Sequence, residues 1–300
     1  MGTFMGHIAP GLAFTFLGLW HIFNTIKDYK LEGPSNFKSR VWHQFRSPLC
    51  NIKYLELLLI FCFSIFAIVF EIIDYPLFDL SFKLNNFEHA TIFLHLAIYS
   101  GVTLAAELTG APDMFSGLVG ILATSVFGQE LFLLHFHSAD HVGPEGHYHW
   151  LLQLIVSVSL LSSLAVTSFP ENFPLALVRS IAVLLQGCWF LDMALMLWVP
   201  RLIVEGCFGR PGNGDDMHGA VVCTTEEASL KMKALANLQF SWIMAAILIF
   251  TAFLCLTPAA KRGQGSGCPK YEKLQSSRSM EVNQIFVAAD SLKQPNLTPP

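Results

Sequence analysis

The sequence predicts an all-α integral membrane bundle of seven transmembrane helices. Three observations carry that expectation. The 300 residues are 53% hydrophobic and only 13% charged, with 26 Phe and a mean hydropathy of +0.50, whereas a soluble domain carries about a quarter charged residues. The apolar residues fall into seven runs, each long enough to cross ~30 Å of hydrocarbon, which takes ~20 helical residues. The basic residues then sort onto one side, with 13 of the 18 Lys and Arg in the first linker, the tail and the start of the sixth run.

The first run, 4–25, has no basic segment ahead of it and no small-residue cleavage site before Lys27, so it reads as a span rather than a cleaved signal. Gly6 stands where an N-myristoylation signal needs Ser or Thr. Residues 26–51 are polar and aromatic, carry a turn signal at Gly33-Pro34-Ser35-Asn36, and read as lying on the membrane surface. The second run, 54–73, is among the most apolar. The third and fourth, 88–107 and 115–137, contain His, Glu and Gln and are weaker on hydropathy. The fifth spans 149–168 and the sixth 175–199. Residues 200–235 form the longest loop, irregular around Arg210-Pro211-Gly212. Its end, Thr224-Thr225-Glu226-Glu227, is a helix-start pattern that would extend the seventh run, 236–257, outward.

From Pro258 the chain is rich in Gly, Ser, Lys and Pro and reads as a disordered tail. The expected division is a seven-helix domain, 1–257, and a tail, 258–300. Positive residues mark the cytosolic side. That places the N-terminus in the lumen or outside the cell and the tail in the cytosol, in an endomembrane or the plasma membrane. The bilayer is the first partner. A net charge of −4 argues against nucleic acid. In the tail, Tyr271-Glu-Lys-Leu274 matches a tyrosine-based sorting signal, a candidate contact for sorting adaptors. Cys207 and Cys223 share the long lumenal loop and are the one plausible disulfide.

The chemistry concentrates in His135-Phe-His137-Ser-Ala-Asp-His141-Val-Gly-Pro-Glu-Gly-His147-Tyr-His149, which holds five of the 11 histidines. Imidazole ligates metals and carries protons near neutral pH. Titratable residues inside spans are costly and are functional candidates by default. His7, Glu71, Glu88, His89, His95, Glu130, His135, His137, His147 and His149 all fall in the lumenal half of their spans, while the cytosolic half shows only His21 and Glu107. Asp192 and Gln186 add to the lumenal set. The reading is one lumenal His/Glu pocket that binds a metal ion, zinc or another divalent cation, or a small ligand. His89, His135, His137, His147, His149 and Glu88 are its candidate ligands, with His7, Glu71, His95, Glu130, Gln186 and Asp192 lining it. Spacing limits this. Residues two apart on a helix point ~200° apart, so one member of each His-x-His pair faces the bundle, and no His-x-x-x-His fixes two ligands on one face. His7, Gly11 and Gly18 share a face, a small-residue stripe for close helix contact.

These pieces together resemble the transmembrane-protein-45 family, in particular its plant members. The matching residues are Gly6-His7 with Pro10-Gly11, Glu71, Glu88-His89-Ala-Thr, the paired His135-Phe-His137 and His147-Tyr-His149, and Leu185-Gln186-Gly187-Cys-Trp189-Phe190. The resemblance runs from residue 6 to about 255. It implies a polytopic protein of about seven helices without an established activity, and it carries the family's histidines onto His7, His89, His135, His137, His147 and His149. Some animal members have a His in the last helix, where this chain has Ser241 and Trp242.

Two other functions compete. A metal-dependent intramembrane hydrolase would use zinc to activate water, but seven-helix enzymes of that plan place two His one turn apart in the last helix, which here has none. A non-enzymatic trafficking or signalling protein would fit the tail signal. A channel or transporter needs polar groups through the whole bilayer, and the cytosolic half reads as too apolar for one.

Overall fold

The computed structural model describes residues 4–45, 52–73, 84–110, 112–137, 143–209 and 221–258. Seven helices account for most of them: α1 (Phe4–Glu32), α2 (Leu55–Ile72), α3 (Leu84–Leu108), α4 (Pro112–His137), α5 (Pro144–Ser168), α6 (Phe173–Trp198) and α7 (Glu226–Leu256). All seven are long and apolar enough to cross a membrane. The protein is an integral membrane protein with seven candidate spans. The sequence pattern placed their centres well and missed some ends. α1 continues seven residues past its apolar run, while α7 starts ten residues before its run, at the expected Thr225-Glu226-Glu227 helix start.

Those ends have local causes. Thr225 caps α7, its hydroxyl accepting from the Ala228 amide at 3.2 Å, with Glu226 and Glu227 in the first turn where the helix dipole favours acids. Asn172 caps α6 in the same way through the Leu175 amide. Pro144 opens α5 behind Gly143, whose φ of 85° suits a residue with no Cβ. At the other end of the bundle, the Lys30 ammonium donates to the carbonyls of Leu254 and Thr257 and closes the C-terminus of α7.

α6 is the central helix. In its most apolar window 72% of residues are buried, against 17% for α2 and 11% for α7, so α6 packs against protein and the other two face mainly lipid. α1 lies antiparallel on α6 in one register: Gly11 meets Leu191, Gly18 meets Leu184, Thr15 meets Gly187, and Tyr29 stacks on Phe173. A Cβ on Gly18 would lie 2.5 Å from the Leu184 Cα, and one on Gly187 would collide with the Thr15 amide nitrogen. The stripe read from the sequence is therefore a backbone-to-backbone contact, with Gly187 supplying the matching gap. α5 packs on the other side of α6, α4 on α5, α3 on α4 and α2 on α3, while α7 lies against α5, α6 and α1.

Two segments outside the spans are ordered against the bundle. Cys207–Gly209 (β1) pairs antiparallel with Val221–Cys223 (β2), and Cys207 is disulfide-bonded to Cys223 within that hairpin. Residues 33–45, expected on the membrane surface, instead fold back into the bundle. Phe37, Trp42 and His43 are buried there, and the Ser39 amide donates to the Pro170 carbonyl at 2.7 Å.

Candidate functional site

Three groups form among the sequence-predicted residues. The first sits where α1 begins, hereafter the His7 end. His7 and His149, from α1 and α5, meet edge to face with ring centres 5.8 Å apart, and both are buried. Trp198 covers His7 at 4.5 Å, and Phe190 lies 6.0 Å away. The His149 Nδ1 bonds the Glu145 carbonyl one turn earlier at 3.0 Å, so in the neutral ring Nδ1 holds the proton and Nε2 is the basic nitrogen. Trp198 thus packs over the His7 ring.

The second group lies deeper. Gln186 is twelve residues from Trp198 along α6, about 18 Å at 1.5 Å per residue. Its amide nitrogen donates to Glu130 Oε1 on α4 at 2.6 Å, and Ser159 on α5 lies 3.5 Å from its amide oxygen. All three residues are buried, Glu130 to 2% exposure. Glu130 Oε2 is also buried and has no hydrogen-bond partner among the described residues. The third group pairs Glu71 of α2 with His89 of α3, at 3.9 Å.

The remaining predicted residues do not join these groups. His95 bonds Ser125 between α3 and α4 at 3.3 Å, beside a Gln129–Thr91 bond of 2.9 Å. His147 points away from His149, to Asn237 on α7 at 2.8 Å, with its ring over Trp150. His135 is exposed on α4 next to Phe136. Asp192 is half-buried beside Tyr148, with Oδ2 buried and without a partner among the described residues. Glu88 is half-buried one turn into α3. The side chain of His137, together with His141, Tyr271 and Leu274, lies outside the described residues. Among those described, no three His, Cys, Asp or Glu side chains come close enough to hold one metal ion. Among the described residues the predicted set forms separate groups. Sorting residues by depth put them in one half of the bundle, but they face different neighbours around it.

The Gln186-Gly187-Cys188-Trp189-Phe190 stretch now has a physical reading. Gln186 holds the Glu130 carboxylate, and Gly187 lets α1 close on α6. The Trp189 indole N–H donates to the Tyr148 carbonyl at 3.1 Å, and its ring stacks on Tyr148 at 5.4 Å. Phe190 stacks on Phe14 and touches His7. Tyr148 in turn donates to Gln239 on α7 at 2.9 Å. One turn and a half of α6 therefore ties together α1, α4, α5 and, through Tyr148, α7.

The opposite end, where Lys30 sits, holds a polar cluster that the apolar reading of that half missed. Glu56 of α2, 7% exposed, accepts from the Trp20 indole and the His43 amide, each at 2.8 Å, and bonds His21 Nε2 at 2.8 Å. His43 Nδ1 lies 3.5 Å from Asp28, and the Arg179 guanidinium donates to the Arg40 carbonyl. Glu56 is an acid within a run chosen for being apolar, and that was the available signal.

Fold and site together define a multi-pass integral membrane protein with paired, buried His and carboxyl groups between its helices. A comparison with known families adds a match over residues 116–256 to a family of unknown function (DUF716). The matched stretch includes Glu130, His149 and Gln186. The chain is similar to transmembrane epididymal protein 1A of Mus musculus, 25% identical over 75% of each chain. It is also similar to transmembrane epididymal protein 1 of Rattus norvegicus, 23% identical over 75% of each. The human protein of that name is 26% identical over 47% of this chain and 49% of its own.

Proposed function

We propose that this is a ligand-binding membrane protein of the transmembrane-protein-45 type, and that its binding site is centred on Glu130 and Gln186 in the interior of the bundle. The observation that carries this is Glu130 Oε2. A buried polar atom without a partner costs about 1–3 kcal/mol, more if charged, so a position that keeps one has a use for it. Gln186 fixes one carboxylate oxygen and leaves the other to meet a hydrogen-bond donor or a cation. The species that fits is small and carries an N–H or O–H group or a positive charge. Zinc or another divalent ion is the inorganic member of that class.

The hydrolase reading gains no support from the described residues, because no three metal-ligating side chains converge among them. The test is elemental analysis of the purified protein beside thermal unfolding with added zinc chloride, for wild type and Glu130→Ala. Stoichiometric metal, or a zinc-dependent rise in Tm that Glu130→Ala abolishes, supports the inorganic ligand. Neither result in wild type removes it and leaves an organic donor. The proposed orientation, with the His7 end lumenal or extracellular, is supported by the charge bias. A glycosylation sequon inserted at 211–219 becomes modified if the orientation is right and stays unmodified if it is reversed.

A further inference from the structure

The cluster at the Lys30 end plays no part in the site just described, and it does something a packed linker does not need. It holds residues 33–45 to the bundle through a buried histidine. The segment is fastened by the Ser39 amide to the Pro170 carbonyl, the Tyr99 hydroxyl to the Val41 carbonyl at 3.0 Å, the Arg179 guanidinium to the Arg40 carbonyl, the His43 amide to Glu56, and the Phe45 amide to the Lys53 carbonyl at 3.3 Å. His43 itself is 4% exposed. Its ring meets His21 edge to face at 5.1 Å, and its Nε2 is buried with no partner among the described residues.

We propose that His43, with His21, Glu56 and Asp28, is a proton-binding site that latches residues 33–45 to the bundle, and that protonation of His43 releases them. The charges that face it decide the direction. His21 and Asp28 of α1 and Glu56 of α2 act on His43 directly, while Lys27 and Arg40 act on Asp28, and Arg179 of α6 and the Tyr99 hydroxyl of α3 act around Glu56. Asp28 and Glu56 would welcome a proton on His43. Asp28, however, is shared with Arg40 at 4.0 Å, and Glu56 already accepts from Trp20, His21 and the His43 backbone. A cation on His43 must also be buried beside the His21 ring. Burial outweighs the carboxylates and holds the His43 imidazole below its ordinary pKa.

The sign follows from linkage. A released segment takes up the proton near the ordinary imidazole pKa of about 6.5, and the latched one does not. Above that pH both states are neutral at His43 and the latch is at full strength. As pH falls below it, release is favoured by up to about tenfold per pH unit, until the latched His43 is itself protonated. The site reads the acidity of whichever compartment faces the Lys30 end.

Hydrogen exchange by mass spectrometry on the full chain in nanodiscs tests this, with rates corrected for the intrinsic effect of pH. Protection of the Ser39, His43 and Phe45 amides should fall by up to about tenfold between pH 7.5 and 5.5, while α6 amides hold. His43→Phe keeps a buried ring that cannot take a proton, and should stay protected at both pH values. Glu56→Ala should lose His43 amide protection at both. Equal corrected protection at the two pH values in wild type overturns the proposal. So does a pH response that survives in His43→Phe, or a His43 amide still protected in Glu56→Ala.

Discussion

Gly18→Ala is the sharpest mechanical test of how α1 docks on α6. The added Cβ would stand 2.5 Å from both the Leu184 Cα and its backbone nitrogen, and 2.7 Å from its Cβ. Carbon atoms settle about 3.5–4.0 Å apart. The obstacle is backbone, so no rotamer change relieves it and α1 must retreat by about 1 Å. A gap of that size forfeits roughly a quarter to a half of the dispersion energy of each contact it opens. Overpacking of this kind costs about 1–3 kcal/mol, and replacing a helical Gly by Ala returns up to about 1 kcal/mol. The net loss expected is about 1–2 kcal/mol. Gly117 is the control: it is exposed on α4 with nothing within 4 Å of an added Cβ, so Gly117→Ala should be neutral or slightly stabilising. The assay is reversible unfolding of the purified protein in mixed detergent, followed by loss of helical circular dichroism. If Gly18→Ala unfolds at the same denaturant level as Gly117→Ala, the α1–α6 backbone contact is refuted.

Two further outcomes follow from the same packing. Trp189→Phe keeps the ring on Tyr148 but deletes the indole N–H, leaving the Tyr148 carbonyl without that donor. The same unfolding assay should show a loss of about 1–2 kcal/mol, and no loss would mean the bond contributes nothing. Replacing Cys207 and Cys223 together by Ser opens a cross-link between residues 16 apart, whose closure is worth about 3 kcal/mol. The Tm of wild type should fall on reduction to that of the double variant, and a double variant as stable as oxidised wild type would contradict this.

The spans were legible because hydropathy and length are properties of a segment by itself. The small-residue stripe was legible for a related reason: Gly11 and Gly18 share a face whatever they meet. Partners were not legible. His7, His149, Glu130 and Gln186 lie in different helices, and periodicity tells which face a residue occupies on its own helix, not which helix comes opposite. That is why the sequence places Gln186 in the lumenal half but gives no sign of its bond to Glu130, and why it does not tell that His147 turns to Asn237 on α7. The buried cluster around Glu56 escaped for a further reason. Half of it comes from residues 28–43, and a polar aromatic linker looks the same whether it lies on a membrane or folds into a bundle. His43 and Trp42 were visible as residue types, but the segment that carries them is fastened at Ser39 and Arg40 by Pro170 and Arg179, more than 120 positions away.

In the proposed site Glu130 keeps one carboxylate oxygen for a bound species. Native mass spectrometry of the full chain released from detergent tests it most directly, with Glu130→Ala alongside. Wild type should appear above the mass of the bare polypeptide by one small adduct, lost on denaturation and absent from Glu130→Ala. A wild-type mass equal to the bare chain, or an adduct that Glu130→Ala retains, would contradict it.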